Sequence, residues 1–390
     1  MHQPPTIIYI IFLIFAGTAV LSTAALFTRQ SLLVAYIALG AIFGPWGLAF
    51  VKNSVIVKQA GDIGIVFLLF LLGLDLQPQN LLHSLRKMSW IAFISSTLFF
   101  AMGFFVSYFF KFSLSASVII GFSTMFSSTI IGLKLLPTTI LHHQHTGELM
   151  ISILLLQDLI AIAVLLVLQA ISERDFSYDD LALIIFSFPT LFIIAYVVQR
   201  YILTNLLQLF DTIHEYIFIL SIGWCLCMAE LGHFMGLTEE IGAFIAGIAL
   251  ASNPISLYIA ESLKPLRDFF LVIFFFSIGA SFNFDYLHAV FVPAAVLALM
   301  ILIIKPVVFG WLLHRSGETK PIGWEVGVRL GQISEFSLLV AYIALQAKLI
   351  DLAANYMVQA ATILTFIVSC YWVVLRYPTP LAATEKLRRD

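Results

Sequence analysis

A carboxylate inside a long apolar run is the strongest candidate for chemistry in this sequence. Asp158 lies in ISILLLQDLIAIAVLLVLQ, and the residues three and four positions away on either side are Leu, Ala or Ile. An ionisable side chain at the centre of a membrane helix costs about 2.5–3.5 kcal/mol or more, which marks it as functional. A desolvated carboxylate can bind a proton or a dehydrated cation, but not both at once. Asp158, with the hydrogen-bonding amide of Gln157 beside it, is therefore the predicted site for a proton or a metal cation.

A lysine is predicted at similar depth. Lys305 lies in ILIIKPVVF, and Pro306 after it lacks a backbone N–H and opens the helix locally. Because a buried charge needs a partner, we expect Lys305 to pair with Asp158 across the helix bundle and to compete there with a bound ion. The alternative is a lysine whose side chain extends to the membrane interface.

Two polar segments interrupt otherwise apolar helices. Hydroxyl and glycine residues at membrane depth favour local unwinding, which frees backbone carbonyls and helix ends to face an ion. The alternative is that Ser and Thr serve ordinary helix packing, and that Glu325–Arg329 is an ion pair on a helix surface. The predicted polar residues are Ser127, Ser128 and Thr129 in GFSTMFSSTIIGLKLL and Arg329, Gln332, Ser334 and Glu335 in VGVRLGQISEFSLLV.

The composition places these residues in a membrane. Of the 390 residues, 61% are hydrophobic and 11% are charged, and the mean hydropathy is +1.03. A globular domain has about 25% charged residues. This composition excludes a soluble enzyme, a nucleic-acid-binding protein and a disordered scaffold, and the net charge of −2 indicates no polyanionic partner. We predict an all-α polytopic membrane protein whose partner is the lipid bilayer, with no cofactor.

The apolar segments and the basic residues together predict the topology. Thirteen basic residues fall on one side of the predicted helices or at the C-terminus and five on the other, which predicts an outside N-terminus and a cytoplasmic tail at 377–390. The transmembrane domain is then 1–376. Thirteen segments of about 20 apolar residues are predicted as transmembrane helices: 6–27, 31–50, 60–77, 88–110, 114–136, 147–171, 180–202, 214–232, 237–252, 264–282, 286–313, 321–346 and 353–376.

An internal repeat relates the two halves of the chain. Gly73 matches Gly279 at an offset of 206 residues, and Gly40 matches Gly247 at 207. This offset spans seven helices, an odd number, so the halves are predicted to be inverted relative to each other, as in secondary transporters. The predicted repeats cover about 6–171 and 214–376, and the helix at 180–202 links them. The matching segments are Ile65–Leu81 with Leu271–Leu287 and Ala35–Ile42 with Gly242–Ala249.

Five segments resemble the second monovalent cation:proton antiporter family, and the Gln-Asp pair at 157–158 resembles its Kef-type potassium branch. Kef proteins continue into a cytoplasmic nucleotide-binding domain, which has no counterpart before Asp390. The resemblance therefore implies a Kef-type K⁺/H⁺ antiporter lacking that domain. The segments are Leu154–Ile162, Phe70–Pro78, Gly236–Ala251, Phe274–Ser281 and Arg329–Val340.

The resemblance also implies a fold and residue roles. It implies an NhaA-like inverted repeat with two crossed discontinuous helices, in a homodimer that works by elevator-type alternating access. Asp158 becomes the residue that binds the ion and the proton, Gln157 its neighbour and Lys305 the core lysine. Ser127–Thr129 becomes the first helix break and Gln332–Glu335 the second.

We expect a transporter rather than an enzyme, in a bacterial inner membrane, that exchanges a monovalent cation for a proton. K⁺ is the favoured cation and Na⁺ is the next. A ligand-gated K⁺ efflux channel and an organic-solute symporter of similar fold are the alternatives. A channel would move cations without protons, and no Thr-Val-Gly-Tyr-Gly filter sequence is present.

Overall fold

The computed structural model describes residues 7–51, 54–75, 78–136, 145–172, 178–237, 239–251, 253 and 255–379, and the described part is helical. A π-helical segment, Gln199–Leu203, joins the helix that ends at Val198 to the one that begins at Thr204. The helices are α1 Ile7–Phe27, α2 Leu32–Phe43, α3 Ser54–Asp75, α4 Pro78–Phe109, α5 Leu114–Thr124, α6 Thr129–Lys134, α7 His145–Ser172, α8 Tyr178–Val198, α9 Thr204–Leu209, α10 His214–Phe234, α11 Glu239–Ala251, α12 Ser256–Ser281, α13 Phe284–Arg315, α14 Lys320–Arg329, α15 Glu335–Gln346 and α16 Leu352–Arg376.

The prediction of an all-helical membrane protein is confirmed. Within the described ranges, seven helices are long and apolar enough to cross a membrane, and α13 alone provides a span of 28 residues, His288–Arg315. Two predicted spans are interrupted, since 114–136 divides into α5 and α6 and 321–346 divides into α14 and α15. The topology of thirteen spans stays a prediction, and residues 380–390 of the predicted tail lie outside the described residues.

Short polar side chains set several helix starts. Ser113 accepts a hydrogen bond from the backbone N–H of Ala116 and begins α5, and Asp351 accepts one from Ala354 and begins α16. Such N-caps satisfy N–H groups that have no partner within the helix. Polar residues in this apolar sequence therefore fix where helices begin as well as forming a site.

The chain divides into two compact units. The first unit consists of Met1–Thr18, Tyr36–Leu82 and Gln169–Ser281 and contains α3 and α8 to α12. Its helices approach closely at glycines, where the absence of a side chain lets two backbones touch. A methyl group on Gly40 would overlap the carbonyl oxygen of Phe276, and one on Gly247 would overlap that of Phe70.

These glycine contacts have the offset of the sequence repeat. Gly40 and Gly247 are 207 residues apart, and their partners Phe70 and Phe276 are 206 apart. The packing of α2 on α12 thus has an equivalent in the packing of α11 on α3. The same correspondence relates two further contacts, Gly279 with the carbonyl of Ile37 and Gly73 with the carbonyl of Phe244. These contacts support the repeat, whereas its predicted bounds stay a prediction.

The second unit contains every predicted site residue. It consists of Ala19–Ala35, His83–Leu168 and Phe282–Asp390. Side chains of α4, α7, α13 and α14 form a buried apolar cluster, within which the rings of Phe99 and Phe309 meet edge to face at 5.3 Å. This cluster lies beside the predicted site and fixes α7 and α13, the helices that carry Asp158 and Lys305.

Candidate functional site

Asp158 is a buried carboxylate that accepts long hydrogen bonds from one neighbouring hydroxyl. Its side chain is 1% exposed. The hydroxyl of Thr129, the first residue of α6, donates to the carboxylate at 3.3 Å from Oδ2 and 3.5 Å from Oδ1. In the described part of the chain, no basic side chain forms an ion pair with Asp158, although both oxygens are buried. These long hydrogen bonds leave the carboxylate able to take a proton or a cation.

Gln157 holds the interrupted helix in place. Its Oε1 accepts a hydrogen bond from the backbone N–H of Ser127 at 3.1 Å, and its Nε2 donates to the carbonyl of Met125 at 3.2 Å. Both backbone groups lie in the interruption between α5 and α6, where no intrahelical partner exists. A buried backbone group without a partner costs about 1–3 kcal/mol, so the amide of Gln157 stabilises the open turn next to Asp158.

Lys305 lies where both interruptions meet. Its Nζ donates to the carbonyl of Phe126 at 2.6 Å and to that of Gln332 at 3.0 Å, and it contacts the hydroxyl of Ser127 at 3.3 Å. These carbonyls follow the C-terminal ends of α5 and α14, where the helix dipoles carry partial negative charge. The ring of Phe99 lies 5.1 Å from Nζ and adds a cation–π contact.

The expected partner of Lys305 was therefore wrong. The sequence predicts an ion pair with Asp158, but the side-chain nitrogen contacts two carbonyls, one hydroxyl and one ring. The alternative, a side chain reaching the membrane interface, is also wrong, because Lys305 is fully buried. Two helix C-termini supply enough negative potential to take the place of a carboxylate.

Hydrogen bonds join the two interruptions directly. Ser127 Oγ donates to the carbonyl of Leu330 at 2.8 Å, and Gln332 Nε2 lies 3.4 Å from the carbonyl of Ser128. Ser369 of α16 donates to Gln332 Oε1 at 3.0 Å. The side chains of one interruption thus satisfy backbone groups of the other, so the two unwound segments stabilise each other.

The helices after the interruptions begin alike. Ser128 Oγ accepts from the N–H of Ile131 at 3.1 Å, and Ser334 Oγ accepts from that of Phe336 at 3.1 Å. The two serines are 206 residues apart, the offset of the repeat. Glu335, the first residue of α15, is 4% exposed and lies near enough to Asp158 for their charges to interact. The site therefore places two carboxylates close together, one of them at a helix N-terminus.

Arg329 belongs to a different cluster from the one expected. Its guanidinium donates to Glu325 at 2.9 Å, to the carbonyl of Leu135 at 3.1 Å and to that of Pro378 at 2.9 Å. The predicted pairing with Glu325 is present, but it is not a surface pair, since Arg329 is 1% exposed. Arg329 is the last residue of α14. Its side chain binds Glu325, Leu135 and Pro378 and not the polar core that the sequence predicts for it.

Two residues of the site were absent from the sequence prediction. Thr365 Oγ1 of α16 accepts from the backbone N–H of Ile333 at 3.1 Å, and Phe99 of α4 lies beside Lys305. Thr365 does for the second interruption what Gln157 does for the first. Polar residues recur along α16 and could have indicated Thr365, whereas nothing in the sequence distinguishes Phe99 from the other phenylalanines.

Two interrupted helices around a buried carboxylate are typical of secondary transporters that carry ions across a membrane. The model of the transmembrane sodium/hydrogen exchanger family matches residues 10–375. The chain therefore belongs to the sodium/hydrogen exchanger family, whose members are transporters and not enzymes, and the Kef-type assignment agrees with its relatives.

Three curated relatives and a solved structure are similar to this chain. The iron transporter MagA of Paramagnetospirillum magneticum is 24% identical over 346 residues, covering 88% of this chain and 80% of the relative. The K⁺ efflux antiporters 4 and 5 of Arabidopsis thaliana are each 27% identical, covering 91% and 80% of this chain. The chain spans 63% and 56% of their respective lengths.

The structural comparison supports the fold. The sodium proton antiporter MjNhaP1 from Methanocaldococcus jannaschii at pH 8 has a TM-score of 0.72 to this chain at 16% identity, covering 94% of this chain and 95% of that one. At this identity the likeness establishes a shared helical architecture. The ion that the chain carries and the mechanism of its transport are matters for proposal.

Proposed function

We propose that this protein is a secondary active antiporter that exchanges a monovalent cation, K⁺ before Na⁺, for a proton at Asp158. The observation that carries the proposal is the state of that carboxylate. It is 1% exposed, it accepts weak hydrogen bonds from Thr129, and Lys305 is engaged elsewhere. Family membership supports the same class of activity.

Exchange follows from the cost of a bare charge. A carboxylate without a proton or a cation is charged in a low-dielectric site, and moving it through the membrane core is expensive. The protonated form and the cation-bound form are both neutral. Only these two forms then let the site open to the other side, by an elevator-type movement, so each cation that crosses one way is matched by a proton that crosses the other way.

The Gln157–Asp158 pair supports K⁺ over Na⁺. Gln157 is neutral, and its amide bonds Met125 and Ser127, so position 157 adds no negative charge next to Asp158, and Glu335 is the second carboxylate of the site. A neutral residue at this position gives a weaker local field than a second aspartate would, and a weaker field suits the larger, more easily dehydrated ion. Two relatives named K⁺ efflux antiporters are consistent with this choice.

The remaining parts of the proposal concern the setting of the protein. We infer a homodimer in a bacterial inner membrane, with the N-terminus outside and the C-terminus in the cytoplasm. The distribution of basic residues supports the orientation. Family resemblance supports the dimer.

The test is exchange in proteoliposomes. We expect K⁺ gradients to drive proton flux, with Na⁺, Li⁺, Rb⁺ and Fe²⁺ compared over a pH series; Fe²⁺ is included because of the iron transporter relative. Asp158→Asn cannot be deprotonated and should lower exchange by at least about a hundredfold, equivalent to about 2.7 kcal/mol in the barrier. Asp351→Asn is the matched control, because Asn also serves as the N-cap of α16 and the charge it removes is exposed.

Three outcomes would contradict the proposal. Exchange that survives Asp158→Asn would show that the carboxylate is not the shared site. Dissipation of a K⁺ gradient without proton movement would identify a channel. Proton-coupled uptake of an organic solute, with no response to any cation, would identify a symporter of similar fold.

A further inference from the structure

Three helices end around the guanidinium of Arg329. Its Nη1 donates to the carbonyl of Leu135, the residue after α6, and its Nη2 donates to the carbonyl of Pro378, two residues after α16. Arg329 itself is the last residue of α14. Carbonyls at a helix C-terminus have no intrahelical donor and carry partial negative charge, so the guanidinium at the end of α14 binds the chain just after the ends of α6 and α16.

The remaining contacts hold the guanidinium in place. Nε and Nη2 both lie 2.9 Å from Glu325 Oε1, one turn earlier on α14, and the ring of Tyr377 lies 5.4 Å from Cζ. Arg329 is 1% exposed, so its charge is balanced by Glu325 and by the helix ends rather than by water. The planar guanidinium directs its donors to Glu325, Leu135 and Pro378 at once. A lysine ammonium lacks this forked set of donors, so the arrangement is specific to arginine.

The cluster is one residue away from the transport site. Leu330, next to Arg329, accepts the hydrogen bond from Ser127 that joins the two interruptions. At the other end of α6, Thr129 donates to Asp158. Through Arg329, a movement of the segment Tyr377–Thr379 would thus displace both α6 and the interruption at Leu330, the two elements next to Asp158.

We propose that Arg329 is a positioning residue that couples the segment Tyr377–Thr379 to the interrupted helices and so makes this segment a control point for transport. The inference rests on the proposed antiport function and adds a regulatory input to the same site. Thr379 is fully buried, so the segment Tyr377–Thr379 packs against the second unit instead of extending away from the end of α16. Arg329 makes no recorded contact with Asp158 in the described residues, so it acts on the rate of movement and not on ion affinity.

The test separates rate from affinity. In proteoliposomes, Arg329→Gln should lower the maximal exchange rate about five- to tenfold, the range of a moderate coupling between sites, while the half-saturating K⁺ concentration changes less than twofold. Arg329→Lys should restore little of the rate, because it keeps the charge and loses the fork. Arg315→Gln is the matched control, since Arg315 is exposed and lies 5.2 Å from the ring of Trp311.

A second measurement does not depend on transport. Hydrogen–deuterium exchange of Arg329→Gln should show faster exchange at residues 134–136 and at 377–379 together, and Arg315→Gln should show neither. If Arg329→Gln does not fold, Tyr377→Ala should also lower the maximal rate, and the control is Tyr371→Ala, an exposed tyrosine of α16.

The outcomes distinguish this inference from the proposed function. If wild-type protein exchanges cations and Arg329→Gln matches Arg315→Gln in both measurements, the coupling is refuted while the antiport stands. A raised half-saturating concentration with an unchanged maximal rate would also refute it. If wild-type protein exchanges no cation, the antiport fails, and hydrogen exchange alone decides whether the three helix ends are joined.

Discussion

Lys305 lies within hydrogen-bonding distance of three oxygen acceptors. The carbonyls of Phe126 and Gln332 can only accept, so each requires a proton on Nζ. Ser127 Oγ has a single proton, which it donates to the carbonyl of Leu330 at 2.8 Å, and it must therefore accept from Nζ as well. Nζ therefore has three acceptors, which matches the three donors of an ammonium ion.

Lys305→Met should destabilise the protein and stop transport. The substitution keeps the length of the side chain but leaves two buried carbonyls without a donor, at about 1–3 kcal/mol each. We expect a clear drop in the thermal unfolding temperature in detergent and exchange near background. Lys320→Met is the control, because Lys320 is exposed at the start of α14. Unchanged stability in Lys305→Met would show that the ammonium is not what holds the interruptions.

The importance of Lys305 could be predicted from the sequence, but its partner could not. A lysine in an apolar run followed by proline indicates a functional position from local information alone. Its acceptors are main-chain carbonyls at Phe126 and Gln332, and a carbonyl has no identity in the sequence. The sequence favours Asp158 as the partner because a carboxylate can be identified from residue type, whereas a helix C-terminus that faces Lys305 cannot.

At the scale of the helix, glycines of the first unit let neighbouring helices pack backbone against backbone. Gly247→Ala should destabilise it, because the added methyl group would overlap the carbonyl of Phe70 and force α11 away from α3. Overpacking of this kind costs about 1–3 kcal/mol. We expect a lower thermal unfolding temperature and lower yield of folded protein.

Gly223→Ala is the matched control for Gly247→Ala. Gly223 lies in α10, and a methyl group there would meet nothing within 4 Å. Alanine is favoured over glycine in a helix by about 1 kcal/mol, so this variant should be as stable as the wild type or more so. Equal stability of the two variants would mean that the close approach of α11 and α3 is not tight.

The sequence predicts most helices but not their ends. Apolar runs of about 20 residues locate most of the helices, since the bilayer dictates both length and composition, and the number that cross the membrane stays a prediction. The predicted span 31–50 is too long, because α2 ends at Phe43 and the chain then turns through Ala49, whose φ is 55°. The interruptions at 125–128 and 330–334 need tertiary partners such as Gln157 and Thr365, which local hydropathy does not reveal.

For the whole molecule, the charge on Lys305 bears on stoichiometry. We expect Lys305 to keep all three protons through the cycle, because releasing one would leave two donors for its three acceptors. Asp158 then remains as the group that exchanges a proton for a cation. Glu335 interacts electrostatically with Asp158. It is the second carboxylate of the described site and could release a further proton in each cycle.

We therefore expect electroneutral exchange of one cation for one proton. On a solid-supported membrane, a K⁺ concentration jump should change the luminal pH of proteoliposomes without a transport current, because equal charges cross in opposite directions. Glu335→Gln should leave this ratio unchanged even if it alters the rate. A current with the sign of net proton entry would mean that a second group releases a proton in each cycle. If that current persisted in Glu335→Gln, Lys305 would be the second group, and the three-proton network would have to break during transport.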